Sequence, residues 1–180
     1  MLQVHVPEIE YFDSVKQEFI SIKAQDLTME HSLISISKWE SKWKKPFLET
    51  TDKTFDETID YFKCMTLTPN VNPIVYQWLP MDVYGQIREY IEDSMTATWF
   101  KDKPKNSTKG STVTSEIIYY WMVMFGIPFE CQKWHLNRLL TLIRVCELKQ
   151  QPSKKGNTKD MLASNWALNA KRRRELGTRG

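Results

Sequence analysis

The sequence predicts a mainly α fold of the α+β class: a small N-terminal antiparallel β unit followed by a compact multi-helix domain with a buried central helical hairpin. Three observations carry this. Apolar and polar residues alternate near the N-terminus, as in Leu2, Val4 and Val6. Apolar residues then recur at helical spacing through most of the chain. Finally, nine consecutive apolar or aromatic residues, Ile117 to Phe125, are followed by Gly126, Pro128 and a second apolar segment from Trp134 to Leu148. A chain of 180 residues suffices for one domain with its own core, and seven Trp give that core material to pack. We read residues 1–148 as that domain, with the β unit over 1–30 and the helical body over 31–148, and residues 149–180 as a linker and a basic helix.

Taken in order, Leu2, Val4 and Val6, then Ile20 and Ile22, then Leu27 and Met29 alternate with polar neighbours, which predicts two or three half-buried strands over Met1 to Glu30. His31 or Ser32 can cap a helix whose Ile36, Trp39, Glu40 and Trp43 share a face. Lys44 and Lys45 fill its last turn and Pro46 closes it. Thr54 and Glu57 have the spacing of a capping box, with Phe55, Ile59, Phe62 and Thr66 on one side behind it and an end near Leu67. Asn72 followed by Pro73 opens a short helix through Leu79. Pro80 interrupts, Asp82 caps, and Val83, Ile87, Tyr90 and Ile91 form the next stripe. Lys101 to Thr112 is polar and reads as an exposed loop.

The predicted hairpin comes next. Ile117 to Phe125 is rich in β-formers and would also suit a strand, but Thr114 with Ser115 and Glu116 resembles a cap and an acidic first turn, and Gly126 with Pro128 supplies a stop. In the second segment Leu136, Leu139, Leu140 and Ile143 follow helical spacing while Leu142, Val145 and Cys146 widen the stripe, which predicts burial over most of the circumference. Neither segment reaches the roughly 20 apolar residues a bilayer requires. After a linker at Gln150 to Asn157, Thr158 and Asp160 start a last helix carrying Leu162, Trp166, Ala170 and Leu176.

Charge is divided unevenly. From Lys149 to Gly180 there are nine Lys or Arg against two acids, whereas Met1 to Leu148 has sixteen against twenty. The body is mildly acidic and the tail basic. Cys64, Cys131 and Cys146 are widely spaced without a CxxC pair, which argues against a disulfide framework or a structural zinc site and for a reducing compartment. The N-terminus lacks the apolar core of a secretory signal, so cytosolic synthesis is expected. Cys131 and His135, four apart, could share a helix face, but two ligands do not make a metal site, and His5 and His31 complete nothing. No nucleophile elbow, P-loop or GxGxxG is present, so a cofactor and an enzymatic role are not indicated. Asp56, Glu57 and Asp60 read as a solvated acidic face. The best functional candidate is the last helix, where Trp166 stands near Lys171, Arg172, Arg173 and Arg174. These could engage an acidic protein surface or phosphates, or be no more than a favourable solvated helix C-terminus, and the acidic body argues against nucleic acid as the main partner.

The segments Leu27 to Leu48, Met95 to Phe100 and Thr114 to Cys146, with the ending ALNAKRRRELGTRG, resemble a family of proteins encoded by tailed bacteriophages and prophages whose members look like tail assembly chaperones. The resemblance implies binding of the long tape-measure protein in the host cytoplasm during tail assembly, without catalysis. It also leaves room for a structural component of the tail or head-tail connector, retained in the virion, and for a homo-oligomer. A small nucleic-acid-binding module is a third reading. Trp39, Trp43, Trp134 and His135 recur in the family.

Overall fold

Strand pairing at the N-terminus follows one uninterrupted register. The computed structural model describes residues 1–14, 17–100, 112–150 and 158–177. In it β1 (Leu2–Val6) runs antiparallel to β4 (Gln25–Met29), and β2 (Ile9–Asp13) antiparallel to β3 (Glu18–Ile22). Leu2 faces Met29 and Asp13 faces Glu18 without a slip between them, so the two ladders are the inner and outer halves of one hairpin. Pro7, in the gap, has no N–H to give to a ladder. There are therefore four strands rather than two or three. The alternation concealed β2, because Phe12 lies on its exposed side.

The inner ladder turns Val4, Val6, Leu27 and Met29 into the core. The second edge of β4 is covered by the chain leaving α2 (Phe55–Met65): Leu67 N–H donates to the Thr28 carbonyl at 2.8 Å, and Glu30 N–H donates to that of Met65 at 2.9 Å. The end of the edge covered in this way cannot template pairing with another chain.

Helix α1 (Leu33–Trp43) starts with a reciprocal Ser32–Ser35 capping box and buries Leu33, Ile36, Trp39 and Glu40. It stops at Lys44, which adopts φ 56°, so Lys42 rather than Lys44 and Lys45 occupies its last turn. The Thr54–Glu57 capping box opens α2 as predicted, and Ile59, Tyr61, Phe62 and Met65 are buried. The helix ends two residues before Leu67, and Phe55 points out. A 3-10 turn at Pro73–Gln77 follows, capped by the Asn72 side chain. Helix α3 (Met81–Glu92) buries Val83, Ile87 and Tyr90. Here the expected Asp82 cap is corrected: Pro80 holds the cap position and Asp82 sits within the first turn, where its charge favours the helix dipole.

The two helical segments of the hairpin are α4 (Ser115–Met124) and α5 (Leu136–Gln150), joined through a 3-10 turn at Phe129–Lys133. Both α4 and that turn pack on α1. Thr114 makes no side-chain cap. Its expected role falls to Glu40 of α1, whose carboxylate accepts the Ser115 N–H and the Phe47 N–H, each at 2.8 Å. At the other end Gly126 adopts φ 63°, Gly126 N–H donates to the Val123 carbonyl and Ile127 N–H to that of Met122. This is a Schellman ending, with Ile127 buried as its apolar clasp. Among α5 residues Leu136, Leu139 and Ile143 are fully buried, while Leu140, Leu142, Val145 and Cys146 are half-buried, so the burial is narrower than the stripe suggested. Trp134 precedes the helix.

The chain forms two compact units, Met1–Glu147 and Leu148–Gly180. The second contains α6 (Thr158–Leu176), which ends at Gly177 with φ 63°. Lys101 to Ser111 and Gln151 to Asn157, expected as loop and linker, lie outside the described residues. Among the described residues no helix is long and apolar enough to cross a membrane.

Replacing Glu40 with Ala leaves the Phe47 and Ser115 N–H groups without their carboxylate, and hydrogen bonds to a charged group contribute about 1.5–3 kcal/mol each. Denaturant unfolding of Glu40→Ala should show a loss of about 3 kcal/mol or more. A loss under about 1 kcal/mol would mean that water replaces the carboxylate.

Candidate functional site

Several places among the described residues break the usual rule that apolar side chains go in and polar ones out, and two of them involve α4 and the passage from β4 into α1. The first is the outer face of α4. Ser115, Ile118 and Met122 point into the core, yet Tyr120 is 57% exposed, Val123 63% and Met124 59%. At 3.6 residues per turn, positions 116, 120, 123 and 124 fall on one stripe. Glu116 begins that stripe, its carboxyl held below the usual range by hydrogen bonds to its own backbone and to Thr114. The 3-10 turn extends it: Tyr119 donates to the Gln132 side chain at 2.9 Å and its ring lies 6.3 Å from that of Phe129, which is itself 53% exposed. A nine-residue apolar run thus supplies two faces, one for the core and one for solvent.

The second region is a polar cluster inside the body, where β4 passes into α1. His31 shares a short hydrogen bond with the Tyr61 hydroxyl. Tyr90 donates its hydroxyl to Glu30 at 2.6 Å. His135 donates from Nε2 to the Tyr90 carbonyl at 2.9 Å, and the Asn137 N–H points at its Nδ1 at 3.3 Å. The two imidazoles lie 5.0 Å apart. Burial, and next the neighbouring His135, bring the His31 pKa down to about 3, while burial pushes the Tyr61 and Tyr90 hydroxyls up. The sequence does not show this cluster, since no spacing rule joins residues so far apart.

The residues singled out on the last helix lie on α6, where Trp166 and Lys171 to Arg174 are all exposed. Successive helical residues turn by about 100°, so the four cations encircle α6 rather than forming one face. Trp166 and Arg173, seven apart, do share a side. Lys171 pairs with Glu175 at 3.9 Å. Leu162, Ala170 and Leu176, the expected stripe, are exposed as well.

Other expectations change. Glu57 and Asp60 are buried rather than solvated: Glu57 pairs with Lys45, and Asp60 with Lys42 and the Trp43 indole N–H, the latter at 2.9 Å. Asp56 alone of that trio is exposed. Cys131 lies in the 3-10 turn and His135 just before α5, so they do not share a helix face. No group of three or more His, Cys, Asp or Glu suited to a metal occurs among the described residues. The Trp39 indole donates to the Glu57 carbonyl at 2.8 Å, and Trp134 stacks under Arg138 at 4.3 Å. Compared with protein-family models, curated proteins and solved structures, the chain gives no match.

The buried His31 makes a pH prediction. Its pKa falls from 6.5 in the unfolded chain to about 3 in the fold, so between these values the unfolded chain binds the extra proton. Stability is therefore complete above about pH 6.5 and declines as pH falls, by about 2 kcal/mol between pH 6.5 and 5. The lowered Glu57 pKa adds a loss only at more acid pH. Denaturant unfolding at pH 7, 6 and 5 should show this slope, and His31→Gln should flatten it. An unchanged slope in the variant would assign the acid sensitivity elsewhere.

Proposed function

We propose that this chain is a tail assembly chaperone that holds the phage tape-measure protein in the host cytoplasm while the tail forms, acting by docking rather than by catalysis. The observation that supports this reading is the outer face of α4, with Tyr120, Val123, Met124 and Phe129 in solvent. A contiguous exposed apolar face of this kind marks an interaction surface. A tape measure is a long amphipathic helical chain, and such a helix lays its apolar side against an apolar surface with charged margins. Glu116, in the first turn of α4, provides charge at one end of that face. In this reading α6 is a second contact, through Trp166 and Arg173 on one of its sides.

A structural component of the tail or connector is the second reading, favoured by one feature. The outer half of the N-terminal hairpin carries the exposed ring pair Phe12 and Phe19, 5.1 Å apart, and β2 and β3 each have one strand neighbour among the described residues. Such an arm suits strand addition to a neighbouring subunit. The nucleic-acid reading has less support, because Lys171 to Arg174 circle their helix.

The test combines one variant, one truncation and one census. Tyr120→Ser, Val123→Ser and Met124→Ser together should reduce co-purification of the tape-measure protein at least about tenfold, which is the loss of roughly 1.4 kcal/mol. Folding should be little affected, since all three side chains are exposed. Undiminished binding by this variant, with loss on deleting residues 158–180, would move the docking surface to α6. Quantitative mass spectrometry should find the protein in infected-cell lysate and not in finished particles. A fixed copy number in particles would select the structural reading.

A further inference from the structure

The first unit also contains a cleft away from the docking face, which shares only Tyr61 with the polar cluster. It lies between α2, the loop before α2, and α3, and measures about 370 Å³, within the roughly 300–1,000 Å³ that small ligands occupy. One side is aromatic. The rings of Phe47 and Tyr61 lie 4.1 Å apart, and those of Phe62 and Tyr84 meet edge-on at 5.2 Å.

Two cations line the same space. The Lys53 ammonium sits 4.2 Å from the centre of the Phe47 ring and donates to the Phe47 and Thr50 carbonyls. These bonds fix its position and take two of its three N–H groups. Arg88 reaches the cleft from α3. Its nearest carboxylate, Glu92, is 3.6 Å away with both side chains mostly exposed, well beyond the 2.7–2.9 Å of a formed charge-assisted hydrogen bond. The guanidinium fork is thus weakly engaged, and planar forks of this type match carboxylates with two parallel bonds.

We propose that this cleft is a binding site for a small organic anion with a flat apolar body, its carboxylate between Lys53 and Arg88 and its body on the aromatic side. A cationic ligand would meet Lys53 and Arg88 against the single carboxylate of Glu92, which also lines the cleft. A bare inorganic anion would make no contact with the aromatic side. Glu92 competes with the ligand for Arg88 and weakens binding until it is displaced. The site is independent of the α4 face, so it stands whether or not the docking reading does.

Titration of the full chain with sodium benzoate, followed by amide chemical shifts, tests the assignment, with acetate and benzylamine as controls. Benzoate should shift the amides around Lys53, Tyr84 and Arg88 saturably, acetate more weakly, and benzylamine not at all. Arg88→Gln should weaken benzoate binding about tenfold, and Glu92→Gln should tighten it severalfold. Lys53→Met should also weaken it, but Lys53 holds loop carbonyls, so the two α3 variants at exposed positions decide if that protein fails to fold. Absence of saturable shifts at the cleft, equal binding of benzylamine, or an Arg88→Gln variant that binds benzoate as well as the parent would each overturn the proposal. Acetate binding as tightly as benzoate would overturn the part assigned to the aromatic wall.

Discussion

The structure depends on how the backbone is satisfied where β4 runs into the core and becomes α1. A strand that ends inside a protein carries donors and acceptors that water cannot reach, and each must find a partner. Between Thr28 and Ser32 the partners come from three directions. The chain after α2 bonds Thr28 and Glu30; Leu136 N–H donates to the His31 carbonyl at 2.7 Å; and Ser32 turns its side chain to cap α1. The start of α1, the exit of α2 and the entry to α5 are thereby fixed to one short segment.

The buried polar side chains follow from the same constraint. Glu30 and His31 flank the backbone that those bonds hold, so their side chains enter the core beside Tyr61, Tyr90 and His135. Each of these finds a partner, and a satisfied network of this kind specifies one arrangement of the elements around it. Glu40 acts likewise one layer away, where a single carboxylate joins α1, the loop at Phe47 and the first turn of α4. The body is thus organised by a few buried carboxylates and imidazoles, with apolar packing filling the space between.

Local signals in the sequence were legible where the physics is local. The Thr54–Glu57 box, the Asn72–Pro73 start and the Gly126 stop each concern groups within a few residues, and each is found in place. Signals that act across the chain were not. Nothing in the neighbourhood of Thr114 announces that Glu40 will bond the next N–H. Nothing in the acidic spacing of α2 announces that Lys42 and Lys45 will draw Asp60 and Glu57 out of solvent. For the candidate sites the difficulty was of another kind. Lys171 to Arg174 stood out by composition, whereas the outer face of α4 was hidden within a run that reads as core throughout. Hydrophobicity around the whole of a helix states that every side wants cover. Which neighbour supplies that cover is a property of the fold.

That distinction bears on how α4 could bind. Its inner face is held by Ile118 and Met122, its first turn by Glu40, and its end by the Schellman bonds with Ile127 buried beneath them. The exposed side chains Tyr120, Val123 and Met124 therefore stand on a backbone already fixed at both ends. Ordering a flexible segment on binding consumes free energy that the contact must supply, and a surface set beforehand avoids that loss. A partner helix laid on this face orders itself alone. The charged position Glu116 stands in the first turn of α4, at one end of the face rather than within it, so covering the apolar centre does not require stripping water from an unpaired charge. The same rigid presentation makes the face a liability while it is uncovered, since a fixed apolar surface attracts any apolar partner, including another copy.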